Sequence, residues 1–170
     1  MSLNFAIKDC IDLEVTVLGQ ESPAMTIDYL NSCSFNISAD SVAAKKKGTP
    51  AVTFAGAKTG ELTLSSELTN IQAWGMQLGG KVTGEKIEIT SVVPATHYVL
   101  SGTFRTVGED GTEKIRKITF HKCKPKVECE VAFDSENVAA FDLKFDLMVD
   151  ANDKFITIDV PAGRSLEKSK

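Results

Sequence analysis

Residues 127–148 constrain the fold most, because they contain two segments in which apolar and polar side chains alternate. Successive side chains of a β-strand point to opposite faces, so each segment predicts a strand with one apolar and one polar face. The apolar positions are Val127, Cys129, Val131 and Phe133 in the first segment and Phe141, Leu143, Phe145 and Leu147 in the second. Paired as a hairpin through residues 135–140, the strands would expose the carboxylates of Glu128, Glu130, Asp134, Asp142 and Asp146 beside one ammonium, that of Lys144.

This acidic face has two interpretations. Alternating strands usually form the solvated side of an antiparallel sheet, and that is the default interpretation. The face gains a function only if assembly places it around a channel, where it would repel a polyanion.

Size and charge narrow the class of protein. A chain of 170 residues is long enough for one domain with a substantial core. A net charge of -4 argues against binding nucleic acid by neutralising its phosphates. The N-terminus lacks a basic start followed by an apolar run, and no segment approaches the roughly 18 apolar residues of a membrane span. We therefore expect a soluble protein that is made in the cytoplasm, with its four cysteines reduced.

The order of patterns predicts a mainly β fold. Residues 1–24 read as an N-terminal arm or a first strand, residues 25–160 as the β domain, and residues 161–170 as a polar tail. Alternating segments predict roughly eight to ten strands. A two-sheet β-sandwich with one flanking α-helix and a long exposed loop is the expected arrangement.

The long exposed loop is predicted at residues 38–58, where hydrophobic periodicity fails and small, polar and basic residues dominate. It contains Asp40 and the run Lys45, Lys46 and Lys47. The lysines are either a solvated charge run or a contact with an acidic neighbouring surface.

The one predicted helix follows a capping box at residues 69–72, in which Thr69 would be the N-cap. Ile71, Trp74 and Leu78 form its expected apolar stripe, and the two glycines after Leu78 end it.

Catalytic and metal-binding patterns are weak. His97 and His121 lie in no motif that supplies a nucleophile or a metal partner. Residues 150–153 resemble the start of a calcium loop but lack its glycine and its distal glutamate. We therefore expect no catalytic residue, no metal site and no cofactor.

With its strand, loop and helix patterns in this order, the chain resembles the major tail tube proteins of long-tailed bacteriophages or related prophage particles. The resemblance covers roughly residues 25–160. It is carried by the motifs Cys33–Ser38, Lys58–Leu68, Ser101–Arg105 before the turn at residues 109–111, Phe141–Leu147 and Asp150–Ile156.

The resemblance implies hexameric rings that stack into a tube, with the inner strands closed into a barrel around a DNA passage. Glu128, Glu130, Asp142 and Asp146 would then line the lumen, and Asp40 with the three lysines would contact a neighbouring subunit. The implied partners are tail terminator, tape measure and tail tip proteins, and the implied location is the virion tail. A tube protein of a contractile tail or secretion apparatus is one alternative, and a carbohydrate- or receptor-binding β-sandwich module is another.

Overall fold

The computed structural model describes residues 5–27, 30–128, 135–136 and 139–159. These residues form ten β-strands and one α-helix, which confirms the prediction of a mainly β fold. The strands are β1 (Phe5–Val17), β2 (Met25–Ile27), β3 (Ser32–Lys46), β4 (Thr49–Ser66), β5 (Lys81–Thr83), β6 (Lys86–Glu88), β7 (Tyr98–Gly108), β8 (Glu113–Pro125), β9 (Phe141–Met148) and β10 (Ile156–Asp159); the helix is α1 (Ile71–Gln77). The predicted polar tail, residues 161–170, lies outside the described residues. No described helix is long and apolar enough to span a bilayer.

The two sheets are unequal in size. Eight strands form one antiparallel sheet in the order β2-β1-β7-β8-β9-β4-β3, with β10 paired to β8. The other two strands, β5 and β6, pair with each other beside α1.

The large sheet curls over its own core. The rings of Phe35 on β3 and Phe120 on β8 meet edge to face with their centroids 5.6 Å apart. In a flat sheet, strands three positions apart lie about 14 Å from each other. The sheet must therefore bend until β3, at its end, comes to face β8, as the layers of a sandwich face each other.

Strand β9 confirms the alternation predicted for its segment. Leu143, Phe145 and Leu147 are buried in the core, whereas Asp142 on the opposite face is exposed. The core is completed mainly by apolar side chains of the strands on either side: Leu13, Val15, Leu62, Leu64, Leu100, Phe104, Ile118, Phe120 and Cys123.

The predicted partner of β9 is corrected by the structure. We expected residues 127–133 to pair with it, but its described neighbours are β4 and residues Lys122–Pro125 of β8. Val127 and Glu128 follow β8 outside any described strand, and residues 129–134 lie outside the described residues. The apolar positions of β8 that precede residue 127 do not alternate strictly, so the sequence pattern concealed the pairing.

The prediction of a long loop at residues 38–58 is wrong about the structure of this segment and right about its exposure. These residues extend the β3–β4 hairpin, whose pairing runs from Ser32 opposite Ser65 to Lys46 opposite Thr49. Lys47 and Gly48 form its turn with φ of 51° and 82°, the backbone that a two-residue hairpin turn requires.

Helix α1 begins one residue later than predicted. Asn70, not Thr69, is the N-cap, and its side chain accepts a hydrogen bond from the backbone N–H of Ala73 at 2.7 Å. The buried face consists of Ala73, Gly75, Met76 and Gln77, so the predicted stripe is only partly buried. Gly79, with φ of 63°, follows the helix as predicted.

Candidate functional site: exposed assembly surfaces

The distal hairpin, defined as residues 39–58, is the most exposed regular structure in the described chain. Strand β3 lies at one end of the sheet, and β9 pairs with β4 only from Gly60 to Ser66. Beyond Gly60 the two strands therefore have no described third strand beside them. An isolated two-stranded hairpin is marginally stable in water. A surface to pack against would therefore stabilise this segment.

One side of the distal hairpin is apolar. Val42 lies opposite Phe54, and Ala44 lies opposite Val52. Directly opposite residues share a face, so these four side chains form one patch, here called the hairpin face. Val42 is 70% exposed, Phe54 62% and Val52 53%. Exposed apolar patches of this kind mark interaction sites.

The other predicted loop residues lie at the bulge and at the tip. Asp40 lies where the register shifts between Ala39 and Ser41. A Cβ atom on Gly56 would approach the carbonyl oxygen of Asp40 to 2.6 Å, so this irregularity requires glycine. Lys45 and Lys46 end β3, and both are exposed. The structure thus places a basic tip next to the hairpin face.

The second surface is the polar face shared by β4, β8 and β9. Asp146 lies opposite Glu61 on one side and Lys124 on the other. Asp142 lies opposite Ser65, whose hydroxyl donates to the Asp142 carboxylate at 2.7 Å. The structure therefore brings Asp142 and Asp146 together on one face. Glu130 lies outside the described residues.

Lys126 joins this polar face, and the sequence pattern did not indicate it. Its ammonium lies 3.1 Å from Glu61 and 3.9 Å from Asp146. The hydrogen bond to Glu61 is the largest cause that raises the pKa of Lys126, followed by the charges of Glu61, Asp146 and Glu128. Lys124 and Lys126 thus offset part of the acidic charge that we expected here.

Gln77 positions the chain at the edge of the polar face. Its side chain is 1% exposed, and its Nε2 donates to the carbonyl oxygens of Lys126 and Glu128. Its Oε1 accepts from the backbone N–H of Lys144 at 3.1 Å. A buried amide needs such partners. Helix α1 therefore holds the segment that carries Lys126 and Glu128 against β9.

The turn at residues 150–153 is stabilised by hydrogen bonds between a side chain and nearby backbone groups. One carboxylate oxygen of Asp150 accepts from the backbone N–H groups of Asn152 and Lys154, both at 2.8 Å. The bond from Lys154 is the largest cause that lowers the pKa of Asp150. The imidazole of His121 lies 3.8 Å from the other carboxylate oxygen. Within the described parts of the chain, no three His, Cys, Asp or Glu residues are grouped so as to hold a metal ion.

The comparisons with known proteins concern the fold. No family model matches the sequence, and no curated protein matches it. A chain in the cryo-EM structure of the anti-feeding prophage cap, its tube terminating cap, is similar at a TM-score of 0.52 and 13% identity, with 95% of each chain covered. A chain of the anti-feeding prophage baseplate is similar at a TM-score of 0.50 and 10% identity, over 85% of this chain and 92% of that one.

A third match is a chain in the extended sheath/tube terminator of the PVC extracellular contractile injection system. Its TM-score is 0.48 at 15% identity, over 87% of this chain and 93% of that one. The class that the comparisons define is a fold: this mainly β chain shares, over nearly its whole length, the fold of a chain in the anti-feeding prophage cap.

Proposed function

We propose that this chain is a structural subunit of the tube of a phage-tail-like particle and that it assembles into hexameric rings stacked into a hollow tube. The fold shared with a chain of the anti-feeding prophage cap over 95% of both chains carries this proposal. The distal hairpin supports it, because an exposed and unsupported ribbon suits a subunit that is completed by its neighbours. Tail terminator, tape measure and tail tip proteins are the further partners that such a tube would meet.

In the assembled ring, Glu128, Glu130, Asp142 and Asp146 would face the lumen. Six copies of a chain with net charge -4 give a ring of -24. Lys124 and Lys126 reduce the local charge, so repulsion of DNA would come mainly from the net charge of the whole ring. A polyanion could then pass without the counterion release that makes nucleic-acid binding tight.

A tube component of a prophage-derived injection particle is the second candidate. The two matches given above with a TM-score of at least 0.50 are chains in structures of the anti-feeding prophage, which favours this candidate over a bacteriophage virion. Binding of a contractile sheath to the outside of the assembled tube would show that the tube belongs to a contractile apparatus and not to a non-contractile tail.

Electron microscopy of the purified protein tests the proposal. We expect rings or hollow tubes in negative stain, and a reconstruction with the polar face of β9 toward the bore. A protein that stays monomeric at high concentration would contradict the assembly. A bore lined by positive charge would contradict the proposed mechanism of DNA passage, but it would not contradict the proposed assembly.

Reversing the charge of Lys45, Lys46 and Lys47 to Glu is expected to weaken assembly. The variant replaces a basic tip by an acidic one, so a contact with an acidic neighbouring surface becomes repulsive. Sedimentation at several salt concentrations measures the effect, which should diminish as salt screens the charges.

The matched control reverses three exposed lysines outside the hairpin, Lys81, Lys114 and Lys154. It changes the net charge equally and should assemble better than the hairpin variant. Equal weakening by both variants would attribute the effect to net charge and remove the contact role of the tip.

A further inference from the structure

A largely apolar groove opens between β1, β3, β7, β8 and β10. It encloses about 210 Å³, and its lining includes Ile7, Asp9, Phe35, Phe104, Phe120 and Ile158. Ile7 is 70% exposed, Ile158 52% and Phe35 45%. The described residues thus leave a concave apolar surface in contact with water.

The hairpin face of the same chain cannot fill this groove. Phe35 lines the groove, and Val42 lies seven residues further along the same strand. Seven residues of extended chain span about 23 Å. The hairpin therefore carries its apolar face away from the groove of its own chain, and a second copy is the occupant that presents a matching surface.

Size and charge agree with that occupant. An apolar cavity of roughly 150 Å³ holds benzene, so a groove of 210 Å³ accommodates the ring of Phe54. The tip beside the hairpin face is basic, whereas Asp9 lines the groove and Asp159 follows Ile158 at the end of β10. Lys117 lies opposite Asp159 and is the cation beside it.

We propose that the groove of one copy receives Phe54 and the hairpin face of a second copy. This inference rests on the proposed function and specifies the contact between subunits. Because the hairpin face and the groove are different surfaces, the contact is heterologous, and its repetition produces a closed ring or an open helical stack. Phe54 is the expected anchor, since large aromatic side chains in pockets dominate interface energies.

The test uses two complementary variants. Phe54→Asp disrupts the hairpin face and leaves the groove intact, whereas Ile158→Lys obstructs the groove and leaves the hairpin face intact. Each alone should raise the concentration needed for assembly at least about 30-fold, and at lower concentrations it should have the 18.3 kDa mass of one chain. Mixed in equal amounts, they retain one intact contact and should form a dimer with twice that mass. Light scattering coupled to gel filtration gives these masses.

Control variants place the same charges on other exposed apolar residues. Val92→Asp and Ile89→Lys, at 72% and 61% exposure, should assemble as the wild type does. Normal assembly of either the Phe54 or the Ile158 variant would overturn the contact. For Ile158→Lys, normal assembly is also the result expected if residues 160–170 of the same chain occupy the groove.

A mixture that stays monomeric would also overturn the contact, while wild-type tubes would leave the proposed function intact. A wild-type protein that never assembles would overturn both proposals.

Discussion

A chain in which residues 40–57 are replaced by Asn-Gly is expected to fold and to remain monomeric. Ala39 and Lys58 are opposite each other in the β3–β4 register, so a two-residue turn can join them. Among the side chains that the structure describes between positions 40 and 57, none belongs to the buried core. The shortened chain should therefore keep its melting temperature within about 4 °C of the wild-type value. It should lose all assembly, because both the hairpin face and the basic tip are gone.

Gel filtration with light scattering and thermal melting by circular dichroism measure these two results. Lys47→Asn is the matched control, because it keeps the full hairpin and introduces a residue that favours the positive φ of the turn. The control should form the same assemblies as the wild type, because it keeps the hairpin face and two of the three lysines of the tip. Tubes formed by the shortened chain would contradict the role of the hairpin, and loss of its cooperative melting would show that the distal hairpin supports the fold.

The contrast between β9 and the distal hairpin shows what the sequence pattern could predict. Leu143, Phe145 and Leu147 are buried on one side only, so their period of two is visible in the sequence. All side chains that the structure describes in the distal hairpin are exposed. Its small and basic residues therefore show no sustained apolar period, although its two strands pair along their length with two register shifts. Hydrophobic periodicity reports burial and misses strands that protrude into solvent.

The sequence pattern predicts those residues of the polar face that lie on a single strand, and it misses those that reach the face from distant segments. Asp142 and Asp146 share the polar side of β9 because both occupy alternate positions on it. Lys124 and Lys126 reach that face through the pairing of β8 with β9, and Glu61 reaches it through β4. Such pairings depend on the whole sheet order. The sequence also gave no indication that Phe54 would stand next to Val42.

Gln77 is the clearest residue that sequence reasoning missed. A glutamine near the end of a short helix resembles many solvated glutamines, and only the packing of α1 against residues 126–128 reveals its role. Its amide joins three backbone groups from two segments that are far apart in the chain. The arrangement needs donors on one side of the amide and an acceptor on the other, which makes it sensitive to a change of one atom.

Gln77→Glu is expected to produce a protein whose stability falls as the pH rises. The two carbonyl oxygens that now accept from Nε2 would face a carboxylate that has no donor. Only the protonated acid retains an O–H for one of them, so burial and repulsion raise the pKa of the introduced carboxyl above its unfolded value of about 4.3. The unfolded chain then binds fewer protons than the folded chain between these two pKa values. Stability relative to the wild type is therefore highest below about pH 4.3 and is lost as the pH rises toward the folded pKa.

At pH 7 we expect the free energy of unfolding of this variant to be about 3 kcal/mol below the wild-type value, with a much smaller difference at pH 4. Urea unfolding at a series of pH values measures both. Gln72→Glu is the matched control, because Gln72 is exposed on the same helix, and its effect should stay small over the whole range. A deficit for the Gln77 variant that is independent of pH would contradict the raised pKa. A variant as stable as the wild type at pH 7 would show that the amide does not hold residues 126–128 against β9.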